Sequence, residues 1–251
     1  MSAGEIIAIA FAGMAAGTIN TVVGSGTLIT FPVLLAFGYA PVTANVSNTI
    51  GLVPGSVSGA IGYRRELAGQ RGRALRFGTA SLLGGVTGAV LLLVLPASTF
   101  KDIVPAFIVL ALVLTLVQPR LNRRLAGHVA SGARRVKLLL PVAIYATGVY
   151  GGYFGAGQGI LLLAILGATL PQSLHDSNAL KNVLAGLVNG VAGVYFMFAA
   201  HVEWGPAGII AVSSIAGAQL GARYGRRLPP DALRALIVVV GLAAIVRLLT
   251  E

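Results

Sequence analysis

The sequence predicts an all-α, polytopic membrane protein made of two inverted repeats, each a glycine-broken, re-entrant hairpin followed by three transmembrane helices. Three observations predict it: a composition poor in charge, a pair of short apolar stretches behind glycine breaks, and a clustering of basic residues in three places. Only 10% of the 251 residues are charged while 56% are hydrophobic, and mean hydropathy is +0.88. An ordinary soluble domain carries about 25% charged residues, so too few charges exist here to cover a soluble surface. High apolar content excludes compositional disorder, and the absence of cysteine excludes a disulfide scaffold and thiolate chemistry. The 34 glycines suit closely packed membrane helices.

Apolar stretches run over 4–23, 27–38, 43–63, 77–95, 103–117, 138–154, 159–170, 178–200, 205–222 and 232–249. A helix needs about 20 residues to cross the hydrocarbon, and about 17 at the short limit. Stretches 27–38 and 159–170 fall below it. One follows Gly24-Ser25-Gly26 and ends near Pro41; the other follows Gly155-Ala156-Gly157-Gln158-Gly159 and ends near Pro171. Such broken backbone is tolerated at membrane depth only inside protein or along a wet cavity. The N-terminal stretch lacks a basic leader, carries Glu5 and runs straight into the first break, so it reads as retained structure rather than a signal peptide.

Charge sets the expected orientation. Fifteen of the eighteen Lys and Arg lie in three places: Arg64, Arg65, Arg71, Arg73 and Arg76 in one loop; Arg120, Arg123, Arg124, Arg134, Arg135 and Lys137 in the next; Arg223, Arg226, Arg227 and Arg234 around a third. The positive-inside rule puts all three in the cytoplasm. The net charge of +11 is then a sidedness signal, and no nucleic-acid partner is expected. Counting crossings from these loops makes segment 4–38 start and end outside and segment 138–170 start and end inside. The halves therefore enter from opposite faces, with both termini outside. The chain reads as one transmembrane domain over 1–251: repeat one at 1–118, a cytoplasmic basic linker at 119–137, and repeat two at 138–251. An internal offset of 133 residues supports the division, since it relates Gly24 and Gly26 to Gly157 and Gly159, Asn45 to Asn178, Gly84 and Gly88 to Gly217 and Gly221, and Leu95-Pro96 to Leu228-Pro229.

Inverted repeats with broken helices recur in secondary transporters, where the site lies near the midplane at the breaks. Polar residues gather there in this chain. Asn20, Thr21, Ser25 and Thr27 surround the first break, and Gln158 stands in the second. Asn45, Ser47, Asn48 and Thr49 open the following helix in one half, as Ser177, Asn178, Lys181 and Asn182 do in the other. Exposed helix N-termini and unwound amides favour an anion. The candidate substrate-binding set is Asn20, Thr21, Gly24, Ser25, Gly26, Thr27, Asn45, Asn48, Thr49, Gly157, Gln158, Gly159, Asn178, Lys181 and Asn182.

Each candidate has a plainer reading beside it. Lys181, whose offset partner is Asn48, either binds the anion or snorkels to the cytoplasmic edge roughly 10 Å away at about 1.5 Å per residue. The Asn, Ser and Thr side chains either touch substrate or bond neighbouring helices. Asp176 either relays a proton or caps a helix N-terminus. Asn189 and the Gly84/Gly88 and Gly217/Gly221 pairs read as packing features, and Trp204 as an interfacial anchor. His201 and Glu203 lie at an outer helix end, and no spacing suggests a metal. No nucleophile or acid–base pair shares a depth, so no catalytic residue, enzyme activity or cofactor is expected.

The motifs also carry a resemblance. The run Gly17-Thr-Ile-Asn20-Thr-Val-Val-Gly24-Ser-Gly26-Thr-Leu-Ile-Thr-Phe-Pro32 resembles the first glycine motif of the sulfite exporter TauE/SafE family, also called the sulfonate-uptake permease group. Ala44-Asn45-Val-Ser-Asn48-Thr49 with Pro54-Gly55 and Tyr63-Arg64-Arg65 is similar to its next segment. Gly151-Gly-Tyr-Phe-Gly155-Ala-Gly157-Gln-Gly159 with Asn178-Ala-Leu-Lys181-Asn182 resembles the repeated motif. The resemblance spans essentially the whole chain and implies a transporter of small sulfur oxyanions or organosulfonates. Ser25 and Gln158 depart from the family's consecutive glycines and change the donors a ligand would meet.

The expected function is a secondary transporter of sulfite, thiosulfate or an organosulfonate, working by alternating access in a prokaryotic plasma (inner) membrane. Its expected partners are a small anion and the bilayer. An anion channel on the same hairpins is the alternative.

Overall fold

A computed structural model describes residues 1–126, 134–225 and 230–250, and side chains outside 121–138, 226–232 and 247–251. Ten α-helices cover them, with no strand among the described residues: α1 (Ala3–Val22), α2 (Thr27–Ala36), α3 (Pro41–Gly62), α4 (Arg71–Val94), α5 (Ala97–Ala126), α6 (Arg134–Tyr153), α7 (Gln158–Thr169), α8 (Leu174–Ala199), α9 (Trp204–Tyr224) and α10 (Pro230–Thr250). Each of the ten apolar stretches became one helix. Three helices of the second half begin 133 residues after their counterparts: α8 after α3, α9 after α4, and α10 after α5.

Local chemistry sets the ends. Ser2 and Glu5 form a reciprocal capping box on α1, and Pro41 occupies the first turn of α3, where its missing N–H costs no hydrogen bond. Tyr39, in the turn between α2 and α3, donates to Glu5 Oε1 at 2.6 Å and ties that turn to the start of α1. Burial, then the bond to Glu5, pushes the Tyr39 hydroxyl up to about 12.

Helix ends correct the expected loops. Arg71, Arg73 and Arg76 belong to the first turns of α4, and α5 runs on through Arg120, Arg123 and Arg124. Arg134, Arg135 and Lys137 open α6, so of the linker expected at 119–137 only 127–133 is left between helices. That stretch, with Arg226 and Arg227, lies outside the described residues. Backbone hydrogen bonding continues past the hydrocarbon edge because charged residues propagate a helix well once it is nucleated.

Among the described residues, five helices are long and apolar enough to cross a membrane: α1, α4, α5 over Ala97–Arg120, α8 and α9. At 10 and 12 residues, α2 and α7 are too short, as their sequences predict. Helix α3 is long enough at 22 residues but too polar for that set. Its Asn45, Ser47, Asn48, Thr49, Ser56 and Ser58 are all buried, so it lies within the bundle, where neighbouring helices rather than lipid receive its polar side chains.

Packing is organised by exchange between the halves. Helix α1 packs on α9 as α6 packs on α4; α3 packs on α9 as α8 packs on α4; α2 packs on α10 as α7 packs on α5. Small residues permit it. Gly217 and Gly221 press on the backbone of Met14 and Thr18 in α1, and Gly84 and Gly88 press on Tyr145 and Val149 in α6. The GxxxG pairs are packing faces. Helices α3 and α8 meet each other antiparallel: Gly186 faces Ser56, while Gly193 faces Ile50 and Val53. Asn189 Nδ2 donates to Ser56 Oγ at 3.3 Å between positions 133 residues apart, which makes it interhelical glue.

Candidate functional site

The two breaks come together. Helix α1 ends at Val22, and Gly24 turns the chain with φ +94°; α6 ends at Tyr153, and Gly157 turns it with φ +77°. Only glycine enters that left-handed region without a Cβ clash. The Gly159 N–H donates to the Gly24 carbonyl at 3.0 Å, so the hairpins touch main chain to main chain. A Cβ on Gly159 would lie 2.5 Å from Gly24 Cα.

A helix C-terminus leaves four carbonyls without intrahelical partners. At the end of α1, α8 supplies the donors. Lys181 Nζ donates to Asn20 O at 3.0 Å and Thr21 O at 3.3 Å; Asn178 Nδ2 and Asn182 Nδ2 reach Thr21 O at 3.1 and 3.4 Å. Lys181 is 1% exposed, so the snorkelling reading is overturned: its ammonium turns inward to the negative end of α1. At the end of α6 the same task falls to α3, where Asn45 Nδ2 donates to Tyr153 O at 2.9 Å. Asn48, the offset partner of Lys181, instead bonds Thr30 and reaches Thr27 Oγ1 at 3.4 Å, joining α3 to α2.

Several polar atoms remain buried without a partner. Among the described residues these include Ser25 Oγ, Gln158 Nε2, Tyr153 Oη, Asn45 Oδ1 and Asn178 Oδ1. All five flank the breaks. A buried unpaired polar atom costs roughly 1–3 kcal/mol, and such atoms suit a ligand or ordered water. Lys181 is the one basic residue among the buried polar side chains described.

Some sequence candidates point elsewhere. Thr49 bonds its own helix at Asn45 O. Ser47 accepts from the Glu203 N–H and pins the start of α9, and Ser177 accepts from Gln172. Asn20 is half-buried and serves through its carbonyl. Asp176 is not the N-cap of α8. Ser173 is, accepting from the Asp176 N–H at 3.1 Å, while its hydroxyl donates to the Asp176 carboxylate at 2.8 Å.

Sequence reasoning missed Thr30, the partner of Asn48, and Tyr153, whose hydroxyl is one of the unpaired atoms. It also missed Gln118 of α5, which reaches Val23 O at 3.4 Å, and the aromatic group of Phe31, Phe100, Phe107 and Phe154 packed beside the second break. The Gly-Tyr-Phe-Gly run at 152–155 was the available signal for Tyr153.

The sequence has known relatives. The sulfite exporter TauE/SafE family matches residues 9–248. The chain belongs to that family. It is 26% identical over 250 residues to the probable membrane transporter protein YfcA of Escherichia coli K12, covering 96% of this chain and 88% of the relative. It is 28% identical over 239 residues to the probable membrane transporter protein ORF9 of Sinorhizobium sp, covering 94% and 89%. A probable membrane transporter protein of Haemophilus influenzae is 26% identical over 243 residues, covering 94% and 91%. No solved structure matches significantly. As a TauE/SafE member the chain is a multi-pass membrane transporter rather than an enzyme, acting on a small substrate in a lipid bilayer.

Proposed function

We propose that this TauE/SafE member carries a small sulfur-containing anion (sulfite, thiosulfate or an organosulfonate) across the plasma membrane by alternating access. The observation that supports this best is that residues in and beside both breaks carry buried polar atoms without a hydrogen-bond partner. Ser25 Oγ, Gln158 Nε2 and Tyr153 Oη offer three donors. With the Lys181 charge nearby, they replace the hydration of an oxyanion. Asn45 Oδ1 and Asn178 Oδ1 offer acceptors, which suit a protonated oxyanion or the ammonium of an amino sulfonate. On this reading the binding site is the candidate set named from sequence without Thr49, whose hydroxyl bonds its own helix; Asn20 takes part through its carbonyl, and Lys181, Asn178 and Asn182 act also through the α1 carbonyls. Asp176, half-buried at the start of α8, is the proposed proton-coupling residue.

Two features support rocking of one half against the other. The exchange of packing partners between halves, with equivalent helices α3 and α8 antiparallel, is the arrangement inverted repeats produce. Ser25, Asn48, Gln158 and Lys181 are each no more than 3% exposed, which favours an occluding carrier over an open channel.

The test is a thermal-unfolding panel of sulfite, sulfate, thiosulfate, taurine, sulfoacetate and carboxylates, followed by counterflow in proteoliposomes. A sulfur anion stabilises the protein and shows saturable counterflow, and the carboxylates do neither. Stabilisation by carboxylates alone, or no counterflow with any sulfur anion, overturns the reading. Large unitary currents would establish the channel instead.

A further inference from the structure

Arg64 lines two adjoining spaces at the end of α3. One is a cavity of about 380 Å³ formed with Arg65, Arg223, Gln219 and the single acid Glu66. The other is a groove of about 410 Å³ along the α3–α8 seam, walled by Val57, Ile61, Leu67, Val183, Gly186 and Leu187. The groove's two further polar residues are spoken for: Ser56 Oγ donates to Leu52 O, and Asn182 Nδ2 to Thr21 O. Gln219 is likewise held, by Ser58. A ligand at the cavity therefore meets three arginines against one carboxylate, and in the groove, Arg64 apart, it meets mainly hydrocarbon.

We propose that this pair of spaces binds one anionic glycerophospholipid, its phosphate among Arg64, Arg65 and Arg223 and an acyl chain in the α3–α8 groove. Basic pockets between membrane helices on the cytoplasmic side suit anionic headgroups, and Arg64, Arg65 and Arg223 are exposed to receive one. A soluble anion would use the cavity alone. The apolar groove joined to it through Arg64 selects a ligand with both a charged head and a tail. The tail would lie against Asn182 and Gly186 and brace the two helices that complete the breaks. Binding does not depend on the identity of the transported anion.

Native mass spectrometry and thermal unfolding of the purified chain test this, using dioleoyl phosphatidylglycerol, phosphatidylcholine with the same chains, and inorganic phosphate. Phosphatidylglycerol is retained and raises the unfolding midpoint, while phosphatidylcholine and phosphate do not. Arg64→Gln weakens retention about fivefold, from the attraction of one surface basic residue to an anionic lipid. Gly186→Leu weakens it as well by filling the groove, at a position where an added Cβ meets only an ordinary 3.5 Å contact with Ser56. Both variants keep their lipid-free unfolding midpoint near that of the parent, which separates lost binding from lost folding. Equal retention of both lipids overturns the proposal, as does a phosphate shift equal to that of phosphatidylglycerol. So does retention unaffected by either variant, or a lipid-free dimer cross-linked through the groove.

Discussion

At the scale of residues, the lysine singled out from sequence has a defined structural task. Lys181 closes the end of α1 by donating to Asn20 and Thr21. Lys181→Met takes the side-chain donor from Asn20 O, while Thr21 O keeps Asn178 and Asn182, and should cost roughly 1–3 kcal/mol, read as a lowered unfolding midpoint in detergent. Lys181→Arg should recover most of the midpoint. A direct role in anion binding adds a second signature: Lys181→Met weakens the ligand-induced shift more than the loss of baseline stability explains. Gly159→Ala tests the contact between breaks, because its new Cβ meets Gly24 Cα. It should abolish counterflow and lower the midpoint, whereas Gly190→Ala, with nothing within 4 Å of the added atom, should change neither. Equal behaviour of the two alanine variants would remove the contact from the mechanism. The candidate residues were legible because polar side chains near glycine breaks are conspicuous in apolar sequence. Their partners were not, since Thr30, Tyr153 and the α1 carbonyls are found only once the helices are in place.

At the scale of elements, apolar runs and their lengths identified all ten helices, including the two too short to span. What they did not reveal is which helix faces lipid. Helix α3 reads as an ordinary span, yet its polar residues are inside and its neighbours satisfy them. Helix ends were misjudged wherever arginines continue a helix beyond the apolar stretch, as in α4 and α5, because hydropathy marks the hydrocarbon edge rather than the last hydrogen bond. The capping of α8 was assigned to the wrong residue because Ser173 and Asp176 both suit a helix start and only backbone geometry separates them. Packing between elements rests on glycine. Gly88→Leu, which drives a side chain into the α6 backbone at Val149, should reduce folded yield severely. Asn189→Ala, which removes one interhelical hydrogen bond, should cost about 0.6 kcal/mol. Both are measured as folded yield and unfolding midpoint from the same membranes.

At the scale of the whole molecule, the basic clusters make a prediction about sidedness. The chain has no native cysteine, so single cysteines report without background. Ala68→Cys, exposed between α3 and α4, should react with an impermeant thiol reagent only in inside-out vesicles. His201→Cys, exposed between α8 and α9, should react only in right-side-out vesicles. The reverse pattern would overturn the assignment of the arginine-rich loops to the cytoplasm, and reaction of both from one side would overturn the opposite entry of the two halves.

The bond from Gly159 to Gly24 involves no side chain. A joint made of main-chain atoms can be broken by adding a Cβ, but it has no functional group for substitution to retune. On the proposed function, chemical selectivity falls to residues beside the joint, such as Ser25 and Gln158. Exchanging those for other donors should, on that reading, change which cargo is accepted while leaving the main-chain joint intact, so affinity can be engineered apart from the contact between the hairpins.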